Sequence, residues 1–166
     1  MMKKLIALIF SILFILCGCT GNKAVETTFT NPVIYADVPD MDVIRVGSEY
    51  YMVSTTMHLM PSVPIMKSKD LVNWEIISYV VPEIKDSSAY DLEDGNVYGQ
   101  GQWASSLRFH NGKFYVLFAT NNPQKTYIYS TVDPAGEWEK VMDLNERYHD
   151  TSLLFDDDGR IYIAGG

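Results

Sequence analysis

From Asn31 onward the apolar and aromatic positions fall in short runs broken by Gly, Asn or Asp, and no stretch sustains a 3.6-residue period. This pattern predicts strands throughout, an all-β domain. Three segments repeat the same order of strand, turn and strand: DVIRVGSEYYMVS from Asp42, SLRFHNGKFYVLFA from Ser106 and SLLFDDDGRIYIAG from Ser152. Their turns carry Gly47-Ser48, Asn111-Gly112 and Asp158-Gly159, residues that accept the positive φ of a tight hairpin.

The first two hairpins lead into a second shared element, SKDLVNWE from Ser68 and STVDPAGEWE from Ser130. Each reads as a Ser, a turn-forming Asp and a Trp that opens a new strand, which makes it punctuation between the outer strands of a repeating unit. The first departs from the Asp-box pattern S-x-D-x-G-x-x-W by an early Trp and a missing Gly. The second-strand tyrosines Tyr51, Tyr115 and Tyr162 are 64 and 47 residues apart, a spacing that brackets a four-stranded propeller blade. An evenly spaced sandwich is the alternative, and a motif with constant internal order favours radial symmetry over it.

The beginning of the chain is of another kind. Lys3 and Lys4 precede the apolar run Leu5 to Leu16, which ends in Leu16-Cys17-Gly18-Cys19. Twelve residues fall short of the roughly 20 that a spanning helix needs, so the run reads as an export signal. Its ending resembles a lipobox. Residues 1–18 are expected to be a lipoprotein signal peptide, Cys19 the acylated first residue, 19–30 a polar tether and 31–166 the folded domain.

Both cysteines lie in that first segment, which leaves the domain no thiol for a disulfide, a zinc site or a nucleophile. The hydrophobic share of 47% and aromatic share of 13% suit a packed core. The net charge is −8, and more negative once Lys3 and Lys4 are removed, which argues against nucleic acid as partner. Asp156-Asp157-Asp158-Gly159 lacks the spacing and distal Glu of a calcium loop and reads as a turn. No cofactor and no metal site is indicated. The polar insertion Asp86 to Tyr98 reads as an exposed loop, with the rim of a cleft as its other reading.

In a propeller the innermost strands line one axis, so equivalent positions of different blades converge. Asp40 lies 11 residues before Tyr51, Trp103 12 before Tyr115, and Asp150 12 before Tyr162. Two carboxylates and an aromatic at matching positions suit sugar cleavage, in which proton transfer and an apolar wall are both needed. A turn-capping Asp and a core Trp are the structural reading of the same residues. His149, next to Asp150, is a further candidate for the funnel, whereas His110 sits in a hairpin.

NPVIYADVPDMDVIRVGSEYYMVSTTMHLMPSVPIMKSKDLVNWE, GQGQWASSLRFHNGKFYVLFAT and HDTSLLFDDDGRIYIAGG together resemble glycoside hydrolase family 43, which includes β-xylosidases and α-L-arabinofuranosidases. The resemblance runs from Asn31 to the end. It implies a five-bladed β-propeller, here truncated to roughly the first two blades and the start of the third. It also implies an inverting hydrolysis of O-glycosidic bonds in xylan- or arabinoxylan-type plant polysaccharide, carried by three axial carboxylates.

On the family pattern Asp40, within Pro39-Asp40-Met41-Asp42, corresponds to the general base. Met41 and Asp42 replace the usual Pro and Ser, which leaves Asp42, and after it Asp37, as competitors. Asp150, within Asp150-Thr151-Ser152-Leu153-Leu154-Phe155, corresponds to the carboxylate that tunes the general acid, with Thr151 in place of Pro. Trp103 corresponds to an aromatic wall of the sugar subsite, and Met57 and His58 to substrate contacts. The general acid of the family is a Glu from a later blade, so this chain is expected to end before it and to be inactive alone. The rival reading is a carbohydrate-binding propeller of a polysaccharide-utilisation system that holds glycan without cutting it. In either case the signal predicts a lipoprotein held to the membrane through Cys19, at the outer membrane, cell surface or periplasm.

Overall fold

The computed structural model describes residues 28–166. The signal peptide, Cys19 and most of the tether lie outside the described residues. Strands β1 (Asp42–Val46), β2 (Glu49–Val53), β3 (Ser62–Ser68) and β4 (Glu75–Val81) form one antiparallel sheet in chain order. Strands β5 (Gln102–His110), β6 (Lys113–Thr120), β7 (Lys125–Thr131) and β8 (Glu139–Leu144) form a second sheet of the same topology, and β9 (Ser152–Phe155) pairs with β10 (Ile161–Ala164). These are two four-stranded propeller blades and the first hairpin of a third. The first strand of blade 2, β5, packs against β1 on one side and β9 on the other, as the inner strands of neighbouring blades do.

The turns follow from their residues. Asn111 and Gly112 both take positive φ, 48° and 78°, the pair of left-handed residues that closes a two-residue hairpin whose twist matches its strands. The third hairpin is looser than the sequence suggests. Asp156 N–H donates to Arg160 O at 2.9 Å and Gly159 N–H to Asp156 O at 3.1 Å, so a five-residue loop separates β9 from β10.

The element from Ser68 is an interlocked turn between β3 and β4, in which Asp70 Oδ1 accepts from the Val72 and Asn73 N–H groups at 2.9 and 2.8 Å. Backbone donation from Asn73 is the largest of the causes that hold the Asp70 carboxyl far below the usual range. The element from Ser130 occupies the same place between β7 and β8. There Asp133 Oδ1 accepts from Ala135 N–H at 3.0 Å, and Ser78 of β4 donates to Pro134 O at 2.6 Å across the blade boundary.

The core is shared between blades rather than enclosed within them. Val53, Val63, Ile65, Leu107, Val116 and Phe118 are fully buried in one cluster drawn from blades 1 and 2, and Leu117 joins Ile128 and Leu153 in a second cluster between blades 2 and 3. Successive residues of a strand point to opposite faces, so Val116 and Phe118 meet blade 1 while Leu117 meets blade 3. A strand covered on both faces needs apolar residues at every position, which is why FYVLFA shows no alternation.

The insertion of blade 2 is packed, not free. Ala89 and Val97 are buried, Ser87 caps a single 3-10 turn (Ser88–Asp91), and Tyr127 donates to Asp86 Oδ2 at 2.8 Å. Burial, and then this bond to a carboxylate, push the Tyr127 hydroxyl well above its ordinary pKa. Tyr127→Phe keeps the ring against Phe118, 5.2 Å away between centroids, and removes only the tie to the insertion. It should lower unfolding free energy by about 1–2 kcal/mol in chemical denaturation, with no change of fold. An unchanged midpoint would mean that water replaces the bond.

Candidate functional site

Asp40 and Asp150 occupy matching places. Each lies two residues ahead of the inner strand of its blade, β1 or β9, and each takes a left-handed backbone, φ 51° and 46°. Such angles are uncommon outside glycine and better tolerated by Asp, whose short side chain bonds locally. Both carboxylates are open to solvent, that of Asp150 70% exposed.

The loop after β2 holds Asp40. Thr55 Oγ1 donates to Asp40 Oδ2 at 2.9 Å, while Ser54 Oγ and Thr55 N–H donate to Pro39 O at 2.8 and 3.1 Å. Asp150 is held by its neighbours. His149 Nδ1 lies 2.8 Å from Asp150 Oδ1, and the His149 backbone exchanges two hydrogen bonds of 3.1 Å with Gly166. A Cβ on Gly165 would sit 2.4 Å from Thr151 Cγ2, so only glycine lets the end of β10 lie this close to the Asp150 loop.

Trp103, second in β5, stands between these two arrangements. Its Nε1–H donates to Gly99 O at 3.2 Å, the His149 ring is 5.3 Å away, and the Arg147 guanidinium lies over the indole at 5.4 Å. Met57 takes φ 56° and its carbonyl accepts from Gln102 N–H at 2.8 Å, bridging blade 1 to blade 2. A Cβ on Gly101 would fall 2.0 Å from that carbonyl oxygen. His58 packs its ring on Tyr98 of the insertion at 4.8 Å, and its buried Nδ1 has no partner among the described residues.

The residue that joins the parts is Gln102, which is fully buried. Its Oε1 accepts from Thr56 N–H at 2.7 Å, Thr56 Oγ1 at 3.1 Å and Ser62 Oγ at 3.4 Å, while its Nε2 donates to Ser105 Oγ at 2.8 Å and to Trp103 O. A continuous line of contacts therefore runs from Asp40 through Thr55 and Thr56, Gln102 and Trp103 to His149 and Asp150, crossing three blades. Sequence reasoning missed Gln102, because a glutamine in a Gly-rich segment reads as loop.

Of the two competitors of Asp40, Asp42 is engaged in a pair. Asp42 Oδ2 accepts from Leu107 N–H at 2.9 Å and pairs with Arg108 at 2.7 Å, which spends its carboxylate on fastening β1 to β5. Asp37 lines an apolar cleft with Val33, Trp74, Ile76 and Tyr79. His110 stacks on Phe155 at 4.4 Å, away from the carboxylates. Among the described residues no group of three or more His, Cys, Asp or Glu is placed to hold a metal ion, the Asp156–Asp158 run included.

The family model for glycosyl hydrolases family 43 matches residues 29–166. A β-xylosidase of Formosa agariphila is 31% identical over 144 residues, covering 85% of this chain and 24% of that protein. A non-reducing end α-L-arabinofuranosidase of Bacteroides ovatus is 33% identical over 141 residues, covering 83% of this chain and 26% of that protein. Among solved structures, a bifunctional GH43-CE protein of Bacteroides eggerthii superimposes with a TM-score of 0.79 at 48% identity, over 83% of this chain and 20% of that one. The chain thus spans about a quarter of the length of the curated relatives it matches. Its blades are those of the five-bladed propeller of these structures, and the chain belongs to glycosyl hydrolases family 43.

Proposed function

We propose that the whole protein carrying this chain hydrolyses O-glycosidic bonds in xylan- or arabinoxylan-type polysaccharide, as a xylosidase or arabinofuranosidase, with inversion at the anomeric carbon. The observation that carries this reading is the equivalence of Asp40 and Asp150, two exposed carboxylates in the same left-handed position of two inner strands, tied together through Gln102 and Trp103. The printed activities of the xylosidase and arabinofuranosidase relatives support the substrate class.

In this scheme Asp40 is the general base. Thr55 fixes one of its oxygens, and the other is left to take a proton from the water that attacks the anomeric carbon. Inversion needs room for that water, so the base and the protonated acid stand roughly 6.5–9.5 Å apart. Asp150, oriented by His149, modulates the proton affinity of a general acid Glu supplied from outside residues 1–166. Trp103 forms the apolar wall of the sugar site, with Met57 and His58 at its margin. The export signal supports a lipoprotein anchored through Cys19, with this activity at the outer membrane, cell surface or periplasm. Its partner is a neutral glycan rather than nucleic acid, in keeping with the net charge of −8.

Two measurements test the proposal. Proton NMR of the whole protein acting on xylo-oligosaccharides or arabinofuranosides should show the first-formed product with the anomeric configuration opposite to that of the substrate. Residues 19–166 alone should turn over such substrates far below the ~1 s⁻¹ of ordinary enzymes. Glycan binding by the whole protein without turnover would establish the binding propeller instead.

A further inference from the structure

We infer that Arg108 is a positioning residue that sets the separation of Asp40 and Asp150. Arg108 lies on β5 between two blades, and its guanidinium hydrogen-bonds to the inner strands of both neighbours. Toward blade 1, Nη1–H donates to Asp42 Oδ2 at 2.7 Å. Toward blade 3, Nε–H donates to Leu153 O at 3.3 Å and Nη2–H to Ser152 Oγ. Nη1 also reaches Leu107 O at 2.6 Å, so the fork is used on every side.

Register turns this cross-brace into a functional device. Asp42 and Ser152 are the first residues of β1 and β9, and each lies two residues after one of the proposed catalytic carboxylates, Asp40 and Asp150. The brace thus fixes equivalent points of two blades to one rigid plane just below the carboxylates. Only Met41 and Thr151 separate the anchors from the carboxylates. The planar, multidentate guanidinium suits this task, and an ammonium, a point charge on a flexible stem, does not. Asp42, weighed in the sequence as a rival base, serves as an anchor of the brace.

This inference rests on the proposed hydrolysis, and the experiment separates the two. In the whole protein, kcat and KM on an aryl xyloside or arabinofuranoside are measured for Arg108→Lys, for the double variant Arg108→Met with Asp42→Leu, and for Asp40→Asn. The double variant removes both charges, so no unpaired carboxylate is left between the blades. Arg108→Lys retains the charge opposite Asp42 and gives up the fork to Ser152 and Leu153. Both are expected to fold as the parent does, the double variant with a lowered thermal midpoint because Leu107 N–H loses its acceptor, while kcat falls ~10-fold or more and KM moves by less than about threefold, because misplacement of reacting groups acts on the transition state. Either variant, folded and with kcat within about twofold of the parent, overturns the inference. Parental turnover in Asp40→Asn overturns the functional reading instead. If the parent itself is inactive, the distance between the Asp40 and Asp150 carboxyl carbons in crystals of parent and Arg108→Lys decides the matter: a shift supports the brace, and an unchanged distance refutes it.

Discussion

Asp40→Asn in the whole protein should reduce kcat by a factor on the order of 10²–10⁴, the range a positioned general base contributes, with KM changed little. The amide is isosteric and its oxygen still accepts from Thr55 Oγ1, so the loop after β2 keeps its place and the thermal midpoint should hold. What is lost is the oxygen that takes the proton from water. The exposure of the Asp40 side chain makes this clean, since no buried charge is removed. Asp42→Asn is the companion variant. It weakens the pair with Arg108 at 2.7 Å, and its effect should appear in stability and positioning rather than as abolished turnover. A variant order in which Asp42→Asn is dead and Asp40→Asn active would move the base to Asp42.

The second large effect is expected of Gln102→Leu. The side chains are close in volume, so no cavity opens, but Thr56 N–H, Ser62 Oγ, Ser105 Oγ and Trp103 O all lose a partner at a position from which water is excluded. An orphaned buried polar group costs ~1–3 kcal/mol. Some of these groups will find other partners, so a total of about 3 kcal/mol is expected in equilibrium unfolding. Activity should fall as well, because Thr55, which holds Asp40, and Met57, whose carbonyl pairs with Gln102 N–H, belong to the loop that Gln102 pins. Gln102→Glu is a sharper probe. Its carboxylate would be an unpaired charge at a fully buried position with the Trp103 carbonyl oxygen beside it, so at neutral pH it should destabilise at least as much as Gln102→Leu. Wild-type stability in both variants would show that the amide is not the pin between blades 1 and 2.

The parts of the fold that the sequence revealed are those specified by neighbours in the chain. Asn111-Gly112 announces its hairpin because two left-handed residues are all that such a turn requires. The Ser68 and Ser130 elements announce the gap between the third and fourth strands because Ser68, Asp70 and Asp133 bond to backbone groups two or three residues on. The start of β5 was less visible. The repeat begins at Ser106, whereas the strand opens at Gln102, and a register shift between Gln102 and Ser105 interrupts the pattern that would have marked it.

At the site the same division holds. Asp40, Trp103 and Asp150 could be picked out because repeat register places them, whatever surrounds them. Gln102 and Arg108 could not, since their partners Thr56 and Asp42 lie 46 and 66 residues away and only the packing of blades brings them together. The packing of the insertion was hidden for the same reason: Tyr127 and Asp86 are 41 residues apart.

The central claim is that residues 40 and 150 face a common substrate. A crystal structure of the whole protein carrying Asp40→Asn, soaked with a xylo-oligosaccharide or an arabinofuranoside, tests it most directly. One glycosyl ring should lie against Trp103, with the side chains of residues 40 and 150 both turned toward it and a water between the introduced amide and the anomeric carbon. A ring bound elsewhere, or the two side chains on different walls with no sugar between them, would contradict it.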